Sequence, residues 1–345
     1  MALLWIDGFD NYGTTAGSAP SPAGIVGRKY PTIYHESNFY VRIGRLAGYA
    51  LDLSYDNSPY FGVTGLTTND TVVVGFAVKL VLSNDITFFS LYDGTTQGVC
   101  LAVQTTGEIK VKRGSTLLGT TAGLGLVASN WYYIELKVKC AGGTSGTYEL
   151  RVGGANVCSS AGANTQAGSD AYHDGFRFNG MGVNATMCVD DFYLLDASGA
   201  ANNDFLGNMR VTALRPDSAG DSTQFTPDSG NNYARVNEAV CGDDTNYVED
   251  ATSTHVDLYN YDALSGITSG IKGVMVCTDC RETDGTSFSL KTECKSGTTT
   301  SDDAGQVIGS TNYVTKRRIL EVDPDTAVAW IKTGLDAAQF GVKVG

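Results

Sequence analysis

Short runs of apolar residues, separated by segments rich in Gly, Asn and Asp, recur along the whole chain. In several runs, such as residues 108–112 and 134–139, polar and apolar positions alternate, which is typical of a strand with one face buried and the other in water. Residues 72–82 are apolar almost throughout, as expected for a strand covered on both faces. Because long amphipathic helical patterns are absent, the sequence predicts an all-β chain of many short strands.

Two groups of candidate strands indicate two domains. The first group lies within residues 1–196, at 46–53, 72–82, 87–92, 99–104, 108–112, 131–139, 147–152, 176–178 and 187–195. Residues 197–204 are small and polar, which is typical of a linker. The second group lies within residues 205–345, at 208–214, 255–259, 270–278, 288–295, 311–321 and 340–344. Residues 323–338 suit one or two short helical turns, since Pro324 after Asp323 is typical of a helix N-terminus. We therefore predict a sandwich of two sheets in each domain.

The composition excludes two classes of partner. Thirty-seven acidic residues against 24 basic ones give a net charge of −13, which offers no positive surface for the phosphates of a nucleic acid. The most apolar stretch, 72–82, is too short to span a bilayer and contains Lys79, so we expect no membrane insertion. The first seven residues lack the basic start of a secretory signal peptide, so we expect synthesis in a cytoplasm.

Eight cysteines are many for a chain without such a signal, and all eight are candidates for disulfides: Cys100, Cys140, Cys158, Cys188, Cys241, Cys277, Cys280 and Cys294. The Cys277-x-x-Cys280 spacing also suits a zinc site, which needs two further ligands, and only Cys241 and Cys294 are near enough in sequence. Structural disulfides within or between subunits are the favoured interpretation. Unpaired thiols and a metal site remain the alternatives.

The sequence offers no catalytic residue and no site for an organic cofactor. Its three histidines, His35, His173 and His255, have none of the spacings of metal-dependent hydrolases, and neither a nucleophile elbow nor a phosphate-binding loop is present. A glycoside hydrolase needs two carboxylates that face each other across a cleft. Glu135 and Glu149 lie in adjacent strands with basic neighbours, so we interpret them as solvent-facing ion pairs. The chain is therefore predicted not to be an enzyme.

The adjacent pair Asp190 and Asp191 suggests a calcium-binding hypothesis. Asp190 and Asp191 lie in the first domain's last predicted strand, and at the rim of the sandwich a carboxylate oxygen could meet those of Asp7 or Asp10 around a calcium ion. Successive strand residues point to opposite faces, so only one of the pair could aim at a given ion. The favoured alternative is that these carboxylates accept hydrogen bonds from turn amides. Calcium is thus the one cofactor for which the sequence offers candidates.

The first domain resembles the concanavalin A-like (laminin-G-like) jelly-roll family in three segments that occur in the family's order. Residues 131–138 are similar to its Trp-led central strand, and residues 146–155 to that strand's hairpin partner. Residues 187–196 are similar to its terminal strand, which contains an Asp-Asp-aromatic motif, here Asp190, Asp191 and Phe192. The resemblance implies a jelly-roll sandwich over residues 1–196, followed by a second β-sandwich over 205–345.

Nearly the whole chain also resembles a group of virion proteins of tailed bacteriophages. The segments that carry this resemblance are 7–13, 190–193, 207–216, 220–227, 231–238, 243–248 and 340–344. The resemblance implies a non-enzymatic structural component of the virion, such as a neck or collar protein, a head decoration or a tail appendage. Such a component would assemble with its own copies and with other virion proteins. Disulfides between copies would reinforce the particle, although Cys277 and Cys280 depart from the group's pattern.

The alternative function is that of a carbohydrate-binding adhesin, a tail appendage that contacts host surface glycans. Aromatic residues cluster early in the chain, at Tyr30, Tyr34, Phe39, Tyr40, Tyr55, Tyr60 and Phe61. Exposed aromatic rings near Asp and Asn would serve as stacking platforms for sugar rings. A core or a subunit interface would bury the same residues, and burial is the favoured interpretation because a sandwich needs two filled layers.

Overall fold

A computed structural model describes residues 2–53, 58–182, 187–267 and 269–345 of the chain. It divides into two compact units, Met1–Thr212 and Ala213–Gly345. The segment expected as a linker, 197–204, lies within the first of these units. Tyr55 lies outside the described residues.

The first unit contains an eight-stranded and a seven-stranded antiparallel sheet in its described part. The eight-stranded sheet consists of β1 (Leu3–Asp7), β3 (Tyr40–Ile43), β4 (Tyr49–Asp52), β6 (Thr71–Leu80), β11 (Trp131–Lys139), β12 (Gly146–Val152), β13 (Ala155–Ala163) and β15 (Met187–Asp196). Its order is β13-β12-β11-β6-β15-β4-β3, and β1 pairs with β15. The central strands β6 and β15 are the apolar runs of the sequence, and every residue of β15 is buried.

The seven-stranded sheet consists of β2 (Thr32–Tyr34), β5 (Tyr60–Val63), β7 (Ile86–Asp93), β8 (Thr96–Val103), β9 (Ile109–Arg113), β10 (Thr116–Thr120) and β14 (Gly175–Asn179). Its order is β10-β9-β8-β7-β14-β5-β2. The alternation of polar and apolar residues in β9 gives the strand one buried face: Ile109 and Val111 are buried, while Lys110 and Lys112 are only partly buried.

Phenylalanine side chains fill the space between these two sheets. Phe192 of the eight-stranded sheet packs on Phe176 and Phe178 of the seven-stranded sheet, with ring centroids 4.9 and 5.2 Å apart. Phe76 packs in the same way on Phe89, at 5.0 Å. Such contacts between the inner faces of two sheets define a β-sandwich. The predicted jelly-roll sandwich of the first unit is thereby confirmed.

The described part of the second unit is built on a six-stranded antiparallel sheet. Its strands are β16 (Pro216–Thr223), β19 (Val256–Tyr261), β21 (Phe288–Ser296), β22 (Thr299–Asp302), β23 (Gln306–Ile308) and β25 (Gln339–Val344). Two pairs of strands accompany it, β17 (Thr226–Pro227) with β18 (Val248–Glu249), and β20 (Val274–Cys280) with β24 (Val314–Leu320). Trp330 is buried between the β20–β24 pair and the six-stranded sheet. Its ring centroid lies 6.1 Å from that of Phe340, and its Nε1 donates a hydrogen bond to the Leu320 carbonyl.

Helices are few and short in the described residues: α1 (Ile25–Lys29), α2 (Lys332–Ala337) and the 3-10 turns Glu36–Asn38, Asn232–Arg235 and Asp243–Thr245. None of these helices has the length and apolar character that would carry it across a bilayer. The all-β prediction is confirmed, and α2 falls within the stretch predicted to be helical. The predicted strand at 208–214 is wrong, because that segment pairs with no strand.

Candidate functional site

The outer face of the seven-stranded sheet presents a charged side chain that the core fixes in direction. On β14, Phe176 and Phe178 point inward and are fully buried. Because alternate residues of a strand point to opposite faces, Arg177 and Asn179 point outward. The Arg177 side chain therefore lies on the outer face of the sheet, and its strand β14 lies between β7 and β5.

The Arg177 guanidinium lies between two tyrosine rings. Its central carbon is 4.7 Å from the centroid of Tyr60 on β5 and 4.3 Å from that of Tyr92 on β7. One terminal nitrogen donates a hydrogen bond of 3.4 Å to the Tyr92 hydroxyl. Its Nε is buried and has no hydrogen-bond partner among the described residues. The group is held in place by ring contacts while part of its donor capacity is unused, as in a site for an anion.

Polar side chains from three strands lie beside Arg177. Ser90, its register partner on β7, is buried and accepts hydrogen bonds from Gln97 of β8 at 2.9 Å and Asn179 of β14 at 3.3 Å. Burial raises the pKa of the Tyr92 hydroxyl, while the charge of Arg177 opposes that rise. At neutral pH this hydroxyl is therefore a neutral donor and acceptor. Amide and hydroxyl groups next to a cation can bind both the carboxylate and the hydroxyls of a ligand.

The aromatic cluster predicted from the sequence divides between core and surface. Tyr30, Phe39 and Phe61 are fully buried, as favoured for core residues. Tyr34 and Tyr60 instead stack on each other at 5.4 Å on the outer face of the seven-stranded sheet, and 46% of Tyr34 is exposed. Tyr40 of β3 is only partly buried and lies under the guanidinium of Arg42.

Asp7, the first of the calcium candidates, is enclosed by donors. Its carboxylate accepts hydrogen bonds from the Phe9 amide at 2.9 Å and from the hydroxyls of Tyr12 and Tyr30 at 2.8 and 2.7 Å. The Lys29 ammonium lies 2.8 Å from the same oxygen as the two hydroxyls. This buried ion pair neutralises the carboxylate without a metal.

The other three candidates gather around the 44–49 turn. Asp10 accepts a hydrogen bond from the Tyr49 amide at 2.8 Å, and Asp190 accepts bonds from the amides of Arg45 at 2.7 Å and Asp191 at 2.8 Å. Burial, with repulsion from the two neighbouring carboxylates, raises the pKa of Asp190 to about 8. In the part of the chain that is described, no three His, Cys, Asp or Glu side chains group as metal ligands would. Calcium binding stays a prediction, and the turn-amide alternative describes these contacts.

Asp191 anchors the 208–211 segment to the sheet. The residue has a positive φ of 50°, and the pairing of β15 with β6 shifts register between Asp190 and Tyr193. It accepts hydrogen bonds from the guanidinium of Arg45 at 2.8 Å and from the amide of Val211 at 2.8 Å. Arg45 also donates to the Asn208 side chain and the Met209 carbonyl. Side chains of the first unit, and not a neighbouring strand, therefore hold residues 208–211 in place.

The interpretation of Glu135 as a solvent-facing ion pair is wrong. Only 1% of the residue is exposed, and one carboxylate oxygen accepts hydrogen bonds from the Tyr193 hydroxyl at 2.6 Å and the Gly207 amide at 2.8 Å. Glu149 does form an ion pair, with Arg151 of its own strand at 2.6 Å. Glu135 is buried because residues 205–207 cover its strand, a tertiary contact that its basic sequence neighbours do not reveal.

All eight cysteines lie in the described residues and carry thiols, so the expected intrachain disulfides are not formed. Cys277 and Cys280 are three apart on β20, so their side chains point to opposite faces and cannot chelate one zinc ion. Burial raises the thiol pKa values to about 11 at Cys100 and Cys140, and to about 12 at Cys188, Cys241, Cys280 and Cys294. Such thiols are poor nucleophiles. Only Cys277 is exposed, and bridges between copies stay a prediction.

Sequence reasoning missed the Arg177 site. The prediction of a strand at 176–178 was available, and the alternation Phe-Arg-Phe-Asn places a cation on the face opposite two phenylalanines. That signal marks Arg177 as outward-facing. Its partners Tyr60, Ser90 and Tyr92 come from strands far apart in sequence, and no motif connects them.

Among known proteins, this chain has matches in solved structures. No family model matches this chain, and no curated protein matches it. The alginate lyase Aly36B is matched at a TM-score of 0.42 and 12% identity, over 55% of this chain and 96% of that chain. The endo-β-1,4-glucuronan lyase of the fungus Trichoderma reesei is matched at 0.37 and 14%, over 48% and 90%. The binding domain of botulinum neurotoxin serotype D is matched at 0.34 and 16%, over 47% and 42%.

These matches correct one prediction. The chain was predicted not to be an enzyme, and that prediction is wrong because the matched structures include alginate and glucuronan lyases. It rested on missing hydrolase and metalloenzyme signatures, and the absence of one reaction's signature does not exclude another reaction. At these identities and TM-scores the likeness carries no substrate or activity over to this chain.

Proposed function

We propose that the first unit binds a carboxylated saccharide on the outer face of its seven-stranded sheet, with Arg177 as the ligand of the carboxylate. The observation that carries this proposal is the Arg177 guanidinium held between Tyr60 and Tyr92, with the Tyr92 hydroxyl as its one hydrogen-bond partner among the described residues. A guanidinium presents a planar set of donors that fits the two oxygens of a carboxylate.

The surroundings of Arg177 favour a sugar over a bare anion. An inorganic anion would use the charge but not the tyrosine rings, whereas the apolar face of a pyranose ring can pack against an aromatic ring. The side chains of Gln97 and Asn179 offer amide groups to sugar hydroxyls beside the charge. A mixed set of one cation, aromatic rings and amides suits a ligand that is acidic, hydroxylated and ring-shaped.

An array of neutral and uronate-containing polysaccharides, probed with the full chain, tests this proposal. The decisive variant is Arg177→Gln, and Lys139→Gln is its matched control. Lys139 also carries one positive charge, but it lies on the eight-stranded sheet with 47% of its side chain exposed. Charge-assisted hydrogen bonds contribute about 1.5–3 kcal/mol, so R177Q should weaken uronate binding by roughly 10- to 150-fold while K139Q binds like the wild type.

Equal binding by R177Q and the wild type, or equal binding of neutral and acidic saccharides, would contradict the proposal. A thermal melt of each variant separates loss of the ligand from loss of the fold. The same incubations report on turnover. Cleavage of a uronate chain by elimination creates a carbon–carbon double bond, and a rise in its ultraviolet absorbance would extend the proposal from binding to lyase activity.

We further propose that the chain works on a tailed-phage particle, together with copies of itself and other virion proteins, and that the saccharide belongs to the host surface. The support for this setting is the sequence resemblance to virion proteins. Mass spectrometry of purified particles and immunogold labelling test it. The chain should be present in stoichiometric amounts and labelled at one position on the particle, and its absence from purified particles would remove the proposal.

A further inference from the structure

The tyrosines and polar groups around Arg177 form a row that crosses five neighbouring strands. Tyr34 of β2 is the register partner of Tyr60 on β5, and Tyr60 is that of Asn179 on β14. On the other side of Arg177, Tyr92 of β7 is the register partner of Gln97 on β8 and of Gly175 on β14, four residues before Asn179. The row therefore crosses the strands obliquely from β2 to β8, and Arg177, midway between Gly175 and Asn179, joins its two halves.

The length of this row exceeds what one sugar needs. Neighbouring strands lie about 4.8 Å apart, so the four gaps from β2 to β8 span roughly 19 Å. Arg177 lies near the middle, and Tyr34 lies at one end. A single saccharide on Arg177 would leave Tyr34 without a role in binding.

Tyr34 has the exposure and the geometry of a stacking platform. Its ring is inclined by 19° to that of Tyr60 at a centroid distance of 5.4 Å, and 46% of the residue is exposed. The centroid of the His35 ring lies 3.8 Å from that of Tyr34, and the two rings are inclined by 68°. An aromatic ring that is held by two neighbours while nearly half of the residue is exposed loses little conformational freedom when a ligand packs on it.

We propose that this row is one continuous binding track, and that its ligand is a linear oligomer of carboxylated sugars lying across the strands. Arg177 takes the carboxylate of one unit, and Tyr34 packs against a unit farther along the oligomer. This inference rests on the proposed function, because it extends the Arg177 site. It adds that the protein recognises the interior of a polymer in preference to a single sugar or a chain end.

Calorimetric titrations with oligogalacturonate, oligomannuronate and oligoglucuronate, from one to six units, test the track. Affinity for the uronate that binds should rise with length and level off once the oligomer spans the row. Tyr34→Ala should leave the affinity for the monosaccharide unchanged and lower that for the longest oligomer by about two- to tenfold, the value of one aromatic contact. Tyr34→Phe keeps the ring and should bind like the wild type.

Two results would overturn the track while leaving the Arg177 site intact: an affinity that does not depend on length, or a Y34A variant that weakens every oligomer equally. If no uronate of any length binds, the proposed function and the track both fail. Both the proposed function and the track are supported if R177Q abolishes binding of oligomers of every length and Y34A removes the rise of affinity with length.

Discussion

The buried histidine beside the candidate site makes the stability of the first unit sensitive to acid. Only 2% of His173 is exposed, and neither ring nitrogen has a hydrogen-bond partner among the described residues. Burial lowers the pKa of the imidazole from its usual 6.5 to about 4. The ring lies so close to Gly98 that a Cβ on that glycine would be 2.4 Å from Nε2. The space beside Gly98 therefore accommodates a flat ring, and the described residues around it offer no hydrogen-bond partner that would stabilise a charged imidazolium.

The sign and size of the effect follow from proton linkage. Between pH 6.5 and 4 the unfolded chain takes up a proton on this residue and the folded chain does not, so acid favours unfolding. The stability that the neutral His173 ring permits is fully present above the unfolded-state pKa of 6.5 and is lost as the pH falls toward the folded-state pKa of about 4. A shift from 6.5 to about 4 corresponds to about 3 kcal/mol. In His173→Phe this loss should disappear, since the ring fits the same slot and does not titrate.

Urea unfolding is carried out at pH 7 and pH 4 and is monitored by hydrogen exchange of peptides from β8 and β14. These peptides report the unfolding free energy of the first unit alone. The fall in unfolding free energy between the two pH values should be about 3 kcal/mol smaller in H173F than in the wild type. His255→Gln, a variant of the second unit, should keep the wild-type difference in these peptides. If H173F and the wild type lose the same free energy, His173 is protonated or hydrogen-bonded in the fold and the reasoning is refuted.

Three further predictions concern packing and reactivity. Gly75→Ala should cost about 1–3 kcal/mol in chemical denaturation, because a Cβ there would lie 2.2 Å from the ring of Tyr193, and an unchanged midpoint would contradict this. Tyr193→Phe should cost about 1–3 kcal/mol by the same assay, since it removes the hydroxyl that donates to buried Glu135, and a neutral outcome would mean that water replaces it. Native alkylation with mass mapping should modify exposed Cys277 first and buried Cys100 only after unfolding; the reverse order would refute the thiol placement.

The strands were predictable because their signal is local. The stretch predicted at 131–139 is β11 with the same ends, and that at 187–195 differs from β15 by one residue. Each strand's own alternation, or its continuous apolar run, states which faces are buried. The failure at 208–214 has the opposite origin. Its alternating residues suit a strand, but its backbone is held by the side chains of Arg45 and Asp191, which a pattern within the segment cannot show.

The sequence by itself determined that this chain folds into antiparallel sheets and that Arg177 points away from the core, because both follow from a period of two along a single strand. Only the tertiary structure decided what surrounds Arg177. Strand order in a sheet is set by packing between distant segments, and it is this order that places Tyr60, Arg177 and Tyr92 side by side on β5, β14 and β7. The same holds for Glu135, whose burial depends on residues about 70 positions away closing over it.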